Sequence, residues 1–266
     1  MQLKVYKALW GMAGSLESQM DGIAQAGYDG IETGLPIEGA ADFRKMLDER
    51  SLDYIGMLFL TEAEPLLEGL QTAEAAGARQ VTLHSGKDSM TFDEGCRYLE
   101  AALRAEEKSG IVVGHETHRG RLFYNPWVTA EYLKKFPELK IVADFSHWTN
   151  VCESMLDDQK ENVSLACRHA VHIHGRVGFE EGPQVSDPRA PEFQPYVEKF
   201  ETWWDDILAA HQDRGASVVS FDPEFGPPRY LQTLPYTGVP VADLWDICLY
   251  MATRMRGRWH SLAPQK

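Results

Sequence analysis

Apolar and polar positions follow two periods that alternate from one end of the chain to the other. Short runs rich in Val, Ile, Leu and Tyr predict buried strands at Leu3–Leu9, Gly30–Glu32, Tyr54–Phe59, Gln80–His84, Gly110–His115, Lys140–Asp144, Val171–His174 and Ser217–Phe221. Between them the apolar residues recur at helical spacing. Leu16, Met20, Ile23 and Ala24 share one face, and Gly27 closes that segment. Leu66, Leu67, Leu70 and Ala73 repeat the pattern ahead of Gly77, and Tyr98, Leu99, Ala102 and Leu103 repeat it ahead of Gly110. Leu244, Ile247, Cys248 and Met251 form the last stripe. Strand and helix taking turns eight times predict an α/β fold: a closed (β/α)8 TIM barrel, one domain over residues 1–266. Right-handed crossovers curl such a series into a ring. An open doubly wound sheet has a similar strand count. However, no Gly-x-Gly-x-x-Gly turn follows the first strand, and the polar residues are spread over many strand ends.

Four of the runs end abruptly in a chemically useful side chain. GIVVGHE ends at Glu116, LKIVAD at Asp144, AVHIH at His174 and ASVVSFDPE at Glu224. In a barrel the C-terminal strand ends converge on one mouth, so these four meet although they are distant in sequence. His84, Glu116, Asp144 and His174 follow one another at steps of 32, 28 and 30 residues, each one β/α unit. The step to Glu224 is 50, and the surplus lies in a Pro/Gly-rich stretch from Arg176 to Tyr196. A structured loop of that length at a mouth is expected to be a lid or a substrate wall.

Composition narrows the function classes. The chain has 266 residues, 44% apolar, with no linker-like stretch, which favours one large domain over two small ones. A formal charge of −14 argues against a nucleic-acid surface, which would need a basic stripe. Cys96, Cys152, Cys167 and Cys248 lack Cys-x-x-Cys spacing, so neither a zinc ribbon nor a disulfide frame is expected. No apolar stretch approaches the ~20 residues that cross a bilayer, and MQLKVYKALW lacks a signal-peptide core. A cytoplasmic protein with no membrane partner is the expectation.

Two Glu, one Asp and one His form an oxygen-rich ligand set for one divalent metal ion, with Mn, Mg or Co preferred. Zn fits less well, because it more often recruits further His or Cys. Any one strand-end acid reads equally as a satisfied core residue or a helix cap. Four together are costly to desolvate without a cation. At this point the chain resembles the xylose-isomerase-like barrel superfamily, which holds ketose 3-epimerases, hydroxypyruvate isomerase, inosose dehydratase and the endonuclease IV branch. The resemblance rests on Asp144-Phe-Ser-His147, on the His-x-His of His172-Ile173-His174, and on Glu116 and Glu224 in order around them. It implies Glu116, Asp144, His174 and Glu224 as metal ligands, Glu116 and Glu224 as the catalytic acid/base pair, and His147 on a substrate oxygen. Two departures bear on substrate and reaction. HETHRGRLFYNP offers His118, Arg119 and Arg121 where the epimerases have a further Glu, and Arg176 follows His174 by two residues instead of several. No Asp-x-His follows the seventh strand, so the extra zinc ligands of the endonuclease branch are missing.

The remaining candidates have two readings each. His172 shares the parity of His174 but lies a layer deeper, so it is expected to be hydrogen-bonded in the barrel. His115 has the opposite parity to Glu116 and is expected to face a helix. His118 either reaches substrate or is solvated, and His84 and Lys87 end the fourth strand with a substrate role favoured. Trp10 stacks on a sugar or packs in the core. Glu32 is a substrate acceptor or an Arg partner. Arg176 is a clamp for a substrate oxygen pair, its rival reading being a surface ion pair with Glu180 or Glu181. Tyr230 and Tyr236 would wall the pocket, and Trp203-Trp204 reads as packing. No Gly-rich phosphate cradle is present, which favours an unphosphorylated sugar or polyol. A metal-dependent sugar isomerase or epimerase is the leading expectation. The alternatives are a dehydratase or lyase on a keto sugar or cyclitol, or a non-catalytic sugar-binding barrel. A homo-oligomer is expected by analogy with related barrels, which often pair.

Overall fold

A computed structural model describes residues 1–36 and 39–262. Its strands are β1 (Gln2–Ala8), β2 (Gly30–Gly34), β3 (Asp53–Leu60), β4 (Gln80–Ser85), β5 (Val112–Glu116), β6 (Ile141–Ala143), β7 (Ala170–His174) and β8 (Val218–Asp222). They pair in parallel in sequence order, and β8 closes the ring on β1 with Gln2 beside Val218 and Val5 beside Phe221. The helices are α1 (Leu16–Gln25), α2 (Ala40–Arg50), α3 (Leu66–Ala75), α4 (Phe92–Ser109), α5 (Pro126–Lys135), α6 (Phe145–Val151), α7 (Lys160–His169), α8 (Gln194–Asp213) and α9 (Leu244–Leu262). The protein is a (β/α)8 TIM barrel, as its periodicity predicts. Among the described residues, no helix is long and apolar enough to cross a membrane.

Local chemistry sets the helix ends. Thr91 and Glu94 cap α4 reciprocally: the Thr91 hydroxyl accepts from the Glu94 backbone, and the Glu94 carboxylate accepts from the Thr91 backbone. Gly110 ends α4 with φ +73°, a conformation that costs glycine little. Asn125 caps α5, and Pro126 opens it where no N–H partner is needed.

The main core lies between barrel and helices. Trp204 meets Phe221 edge-on at 5.3 Å, and Phe145 stacks on Trp148 at 4.7 Å while its edge meets Trp203. The Trp203-Trp204 pair is thus core packing. Burying a side chain such as Phe221 contributes about 1.5–3 kcal/mol. Inside the ring a polar layer crosses the barrel from β2 (Glu32), β4 (Thr82), β7 (His172) and β8 (Ser220), every member buried.

The stretch after Arg176 is packed against its neighbours. Val177 and Val185 are buried, and Phe179 packs against Phe193 and Tyr196. The Gln184 side chain donates to the Gly226 carbonyl (3.2 Å) and accepts from the Gly226 N–H (2.7 Å). The insertion therefore buttresses the loop after β8. Of its described residues, Arg176 alone lines the mouth cavity.

Candidate metal centre

Each of the four strand-end residues is delivered by a different element. Glu116 is the last residue of β5, His174 the last of β7, Asp144 follows β6 directly, and Glu224 lies two residues past β8. All four are buried, and ligand atoms of all four lie within 4.8 Å of one another. His174 Nδ1 stands 2.9 Å from Glu224 Oε2 and 3.4 Å from Glu116 Oε1. Asp144 is also the N-cap of α6: its Oδ1 accepts from the Ser146 N–H (3.0 Å) and hydroxyl (2.5 Å). Cap and cluster member are thus one residue, not rival readings. Glu224 has φ +47°, in the left-handed region a non-glycine residue seldom occupies, and its N–H is held by Asp222 Oδ1 at 2.8 Å. Such strain persists where surrounding structure over-determines a functional side chain.

The electrostatics are those of crowded, buried acids. Burial opposes ionisation of Glu116, but His84, His118 and His174 outweigh it and hold its carboxyl well below the usual range. Burial pushes Asp144 above its usual value; Arg176 pulls it down, while Glu224 and Glu116 repel. Burial likewise disfavours a charged His174, yet Glu224 and Glu32 raise it well above an ordinary histidine. The same negative field attracts a divalent cation, which competes with that proton.

The orphaned atoms test whether a metal fits. Both carboxylate oxygens of Glu116 and the Nδ1 of His174 are buried without a hydrogen-bond partner. His84 Nε2 lies 2.6 Å from Glu116 Oε2 but off the direction of a hydrogen bond. Three carboxylates and one imidazole converge, with the Glu116 oxygens and His174 Nδ1 left open; this matches the donor set of Mg or Mn, and the residues fit such an ion. Arg176 stands beside the cluster: its Nη2 donates to Asp144 Oδ2 (2.6 Å) and Glu224 Oε2 (2.8 Å), and its Nε to Asp144 Oδ2 (3.2 Å). Its partners are cluster carboxylates, not Glu180 or Glu181. Its Nη1 is unpartnered.

The cluster opens into a cavity of about 530 Å³. Its lining mixes polar groups (Glu116, His84, His118 and Arg176) with the aromatic rings of Trp10 and Phe59. Tyr230 also lines it, carrying the Arg176 guanidinium on its ring face at 4.6 Å and meeting Trp10 edge-on at 5.0 Å. Trp10 lies against Gly226, where a Cβ would collide with its ring. His118 packs 4.9 Å from His84 and 3.9 Å from His147, ring centre to ring centre. Burial lowers His118 to about 4, and its Nδ1 is tied to the Arg119 carbonyl at 2.5 Å. His118 is therefore neutral at pH 7. His147, fully buried and also held low, chiefly by burial, leaves both ring nitrogens unpartnered and stands 3.6 Å from Asp144.

Several expectations are placed differently. Lys87 lines a separate cleft with Glu62 and Glu94, because the chain turns at Gly86 (φ +58°). Tyr236 is fully exposed and walls nothing. Glu32 pairs with His172 and His174, not with an arginine. His115 faces α4, bonded to Glu106 at 3.0 Å, as its parity predicts. Sequence reading passed over Phe59, which stacks on His84 at 4.2 Å, and Thr82 and Ser220, which hold the polar layer. Phe59, being half exposed, carried no pattern; Thr82 and Ser220 do interrupt otherwise apolar strands, a signal that was there to read.

Comparison with known proteins agrees with the fold. No curated protein matches the chain. Among solved structures it is similar to the probable 3-DHS dehydratase AsbF of Bacillus anthracis, with TM-score 0.63, 16% identity and coverage of 96% of this chain and 99% of that one. A xylose isomerase-like TIM barrel protein from Mycobacterium smegmatis in complex with magnesium gives 0.60 and 12%, over 97% and 96% of the two chains. A xylose isomerase domain protein from Planctomyces limnophilus gives 0.57 and 13%, over 98% and 96%. At such identities the likeness is one of fold. A sequence profile described as xylose isomerase-like TIM barrel matches residues 20–192, from within α1 to beyond β7. That span takes in Glu116, Asp144 and His174, and the chain belongs to the xylose isomerase-like TIM barrel family.

Proposed function

We propose that the protein is a divalent-metal-dependent isomerase or epimerase of a small, unphosphorylated keto sugar or polyol, working as one domain. The observation that carries this reading is the pair Glu116, ending β5, and Glu224, in the loop after β8, flanking His174 Nδ1 at 3.4 and 2.9 Å beside an open cavity. Glu116, Asp144, His174 and Glu224 would hold the ion; magnesium in the M. smegmatis relative and the oxygen-rich donors favour Mg or Mn. Such an ion, when bound, polarises a carbonyl and its neighbouring hydroxyl and so acidifies the C–H between them.

The chain's own residues do the rest. Glu116, kept ionised by its histidines, takes the proton from one side of the substrate carbon, and Glu224 returns it from the other. Arg176 Nη1 and His147 supply hydrogen bonds to substrate oxygens. His84 and the neutral His118 orient the hydroxyls on the Glu116 side. Trp10 and Phe59 cover the apolar face of the substrate. The test is incubation of the manganese-loaded protein with a panel of keto sugars in deuterated water, read by NMR. Deuterium at a carbon next to the carbonyl, with the isomer or epimer formed, supports the reading; full turnover by Glu116→Gln with metal still bound rejects it.

A second reading, elimination of water from the same kind of substrate, is favoured by one observation: the dehydratase title of the AsbF relative, a likeness of fold alone. Against it, His118 is not an imidazolium at neutral pH, and the N–H it keeps is tied to the Arg119 carbonyl instead of facing a leaving group. Loss of water in the same NMR experiment would decide for elimination.

A further inference from the structure

His174 reaches the cluster through only one of its ring nitrogens. Its Nδ1 faces Glu224 and Glu116, while its Nε2 lies 3.2 Å from both oxygens of Glu32, on the opposite side of the ring. Glu32 is fully buried and, among the described residues, its basic hydrogen-bond partners are His172 and His174. Its Oε2 accepts from His172 Nε2 at 2.9 Å, and its Oε1 from the Thr82 hydroxyl at 2.5 Å. His172 is fixed in turn by the Ser220 hydroxyl on its Nδ1 at 2.7 Å. A chain Ser220–His172–Glu32–His174 thus crosses the barrel interior from β8 through β7 and β2 and ends on one cluster ligand.

We infer that Glu32 is the positioning residue of the metal centre: it holds the Nε2–H of His174, so that the Nδ1 lone pair is presented to the ion. The inference rests on the metal-dependent reading above. A ligating histidine whose other N–H is held by a carboxylate has its tautomer and ring plane fixed and its basicity raised. Without that carboxylate, a buried imidazole in this layer can carry its proton on Nδ1, where it blocks coordination. Glu32, His172 and His174 also lie close enough together to grip an ion themselves. Their facing atoms, however, are already joined by hydrogen bonds, whereas those of Glu116 are not. The open valences are therefore on the far side of His174.

The experiment is calorimetric titration of the full-length protein with Mn, together with long-range ¹H–¹⁵N NMR of its histidine side chains. Glu32→Gln keeps the shape but turns one acceptor into a donor. It is expected to weaken Mn binding about 10–100-fold at unchanged stoichiometry. The His174 Nε2–H resonance, held in the parent protein, should shift or disappear. Ser220→Ala removes only the far link and should give a smaller loss of affinity in the same direction, a result that stands even if Glu32→Gln folds poorly. Unchanged affinity in a folded Glu32→Gln overturns the inference, as does loss of one of two bound ions, which would make Glu32 a ligand. Failure of the parent protein to bind Mn at all strikes the metal reading instead. The NMR signature then still decides whether Glu32 orients His174.

Discussion

At the N-terminal end of the barrel the buried and half-buried acids are matched. The Asp53 carboxylate at the start of β3 accepts from Lys4 and, at 2.7 Å, from Arg79, with the Tyr6 hydroxyl at 3.5 Å. Asp29 accepts from the Val5 N–H at 2.7 Å and stands 3.6 Å from Arg256. At the C-terminal end the corresponding groups crowd without closing. Among the described residues the side chains of Glu116, His84 and His147 have no hydrogen-bond partner, and Arg176 bridges Asp144 and Glu224, with His174 also 2.9 Å from Glu224. Both ends belong to one sheet and one set of strands. The lower end uses its charges to pair strands, while the mouth keeps desolvated groups left open beside Asp144, whose ionisation burial and the neighbouring Glu224 and Glu116 oppose. That is the arrangement the proposed cation and substrate would complete.

Removing a charge at each end should therefore have opposite consequences. The largest effect is expected from Glu116→Gln and Glu224→Gln, which should lower isomerisation by about 10²–10⁴-fold, the usual contribution of a positioned acid or base. Folding stability should hold or rise in Asp144→Asn instead, because burial and the Glu224 and Glu116 charges push that carboxyl above its usual value; a fall in Tm comparable to a core mutation would erase the contrast. Next in size is the ion itself. Mn at about 100 times its Kd should add about 2.7 kcal/mol to unfolding, be reversed by a chelator, and have no effect on Asp144→Asn. A thermal scan in which Mn raises Tm equally in parent and variant would place the ion elsewhere.

The lower end gives the smaller numbers. Asp53→Asn should cost about 1–2 kcal/mol and leave turnover unchanged, as expected for a partly exposed ion pair. The pH dependence has a definite sign. Burial pushes Asp53 up, but the hydrogen bonds from Lys4 and Arg79 outweigh it and set its folded pKa below the usual value. Its stabilisation is thus complete above the unfolded value of about 3.9 and is lost as pH falls toward the depressed folded one. Denaturation curves between pH 6 and 3 (about the range where the carboxylate titrates) should show a shallower acid loss in Asp53→Asn. Parallel curves would remove Asp53 from the account of stability.

Most strand bounds follow from sequence because the signal is local. The run Gln80–His84 becomes β4 with one residue added, and the helical stripe of Tyr98, Leu99 and Ala102 is the buried face of α4. The sixth strand is shorter than its run Lys140–Asp144, since Asp144 turns away to cap α6. Glu32 shows where such reading ends. Its partner His172 is 140 residues away, and nothing near Glu32 in the chain distinguishes a substrate acceptor from a link in a hydrogen-bond chain.

By itself the sequence determined the barrel and the strand-end positions of Glu116, Asp144, His174 and Glu224, because periods of 2 and 3.6 residues are written in neighbouring side chains. Only the tertiary structure decided that Arg176 turns inward to Asp144 and Glu224, that the insertion braces Gly226, and that Tyr236 stays outside. A side chain's partner across a closed ring depends on how the strands come together in space, a relation no local period encodes.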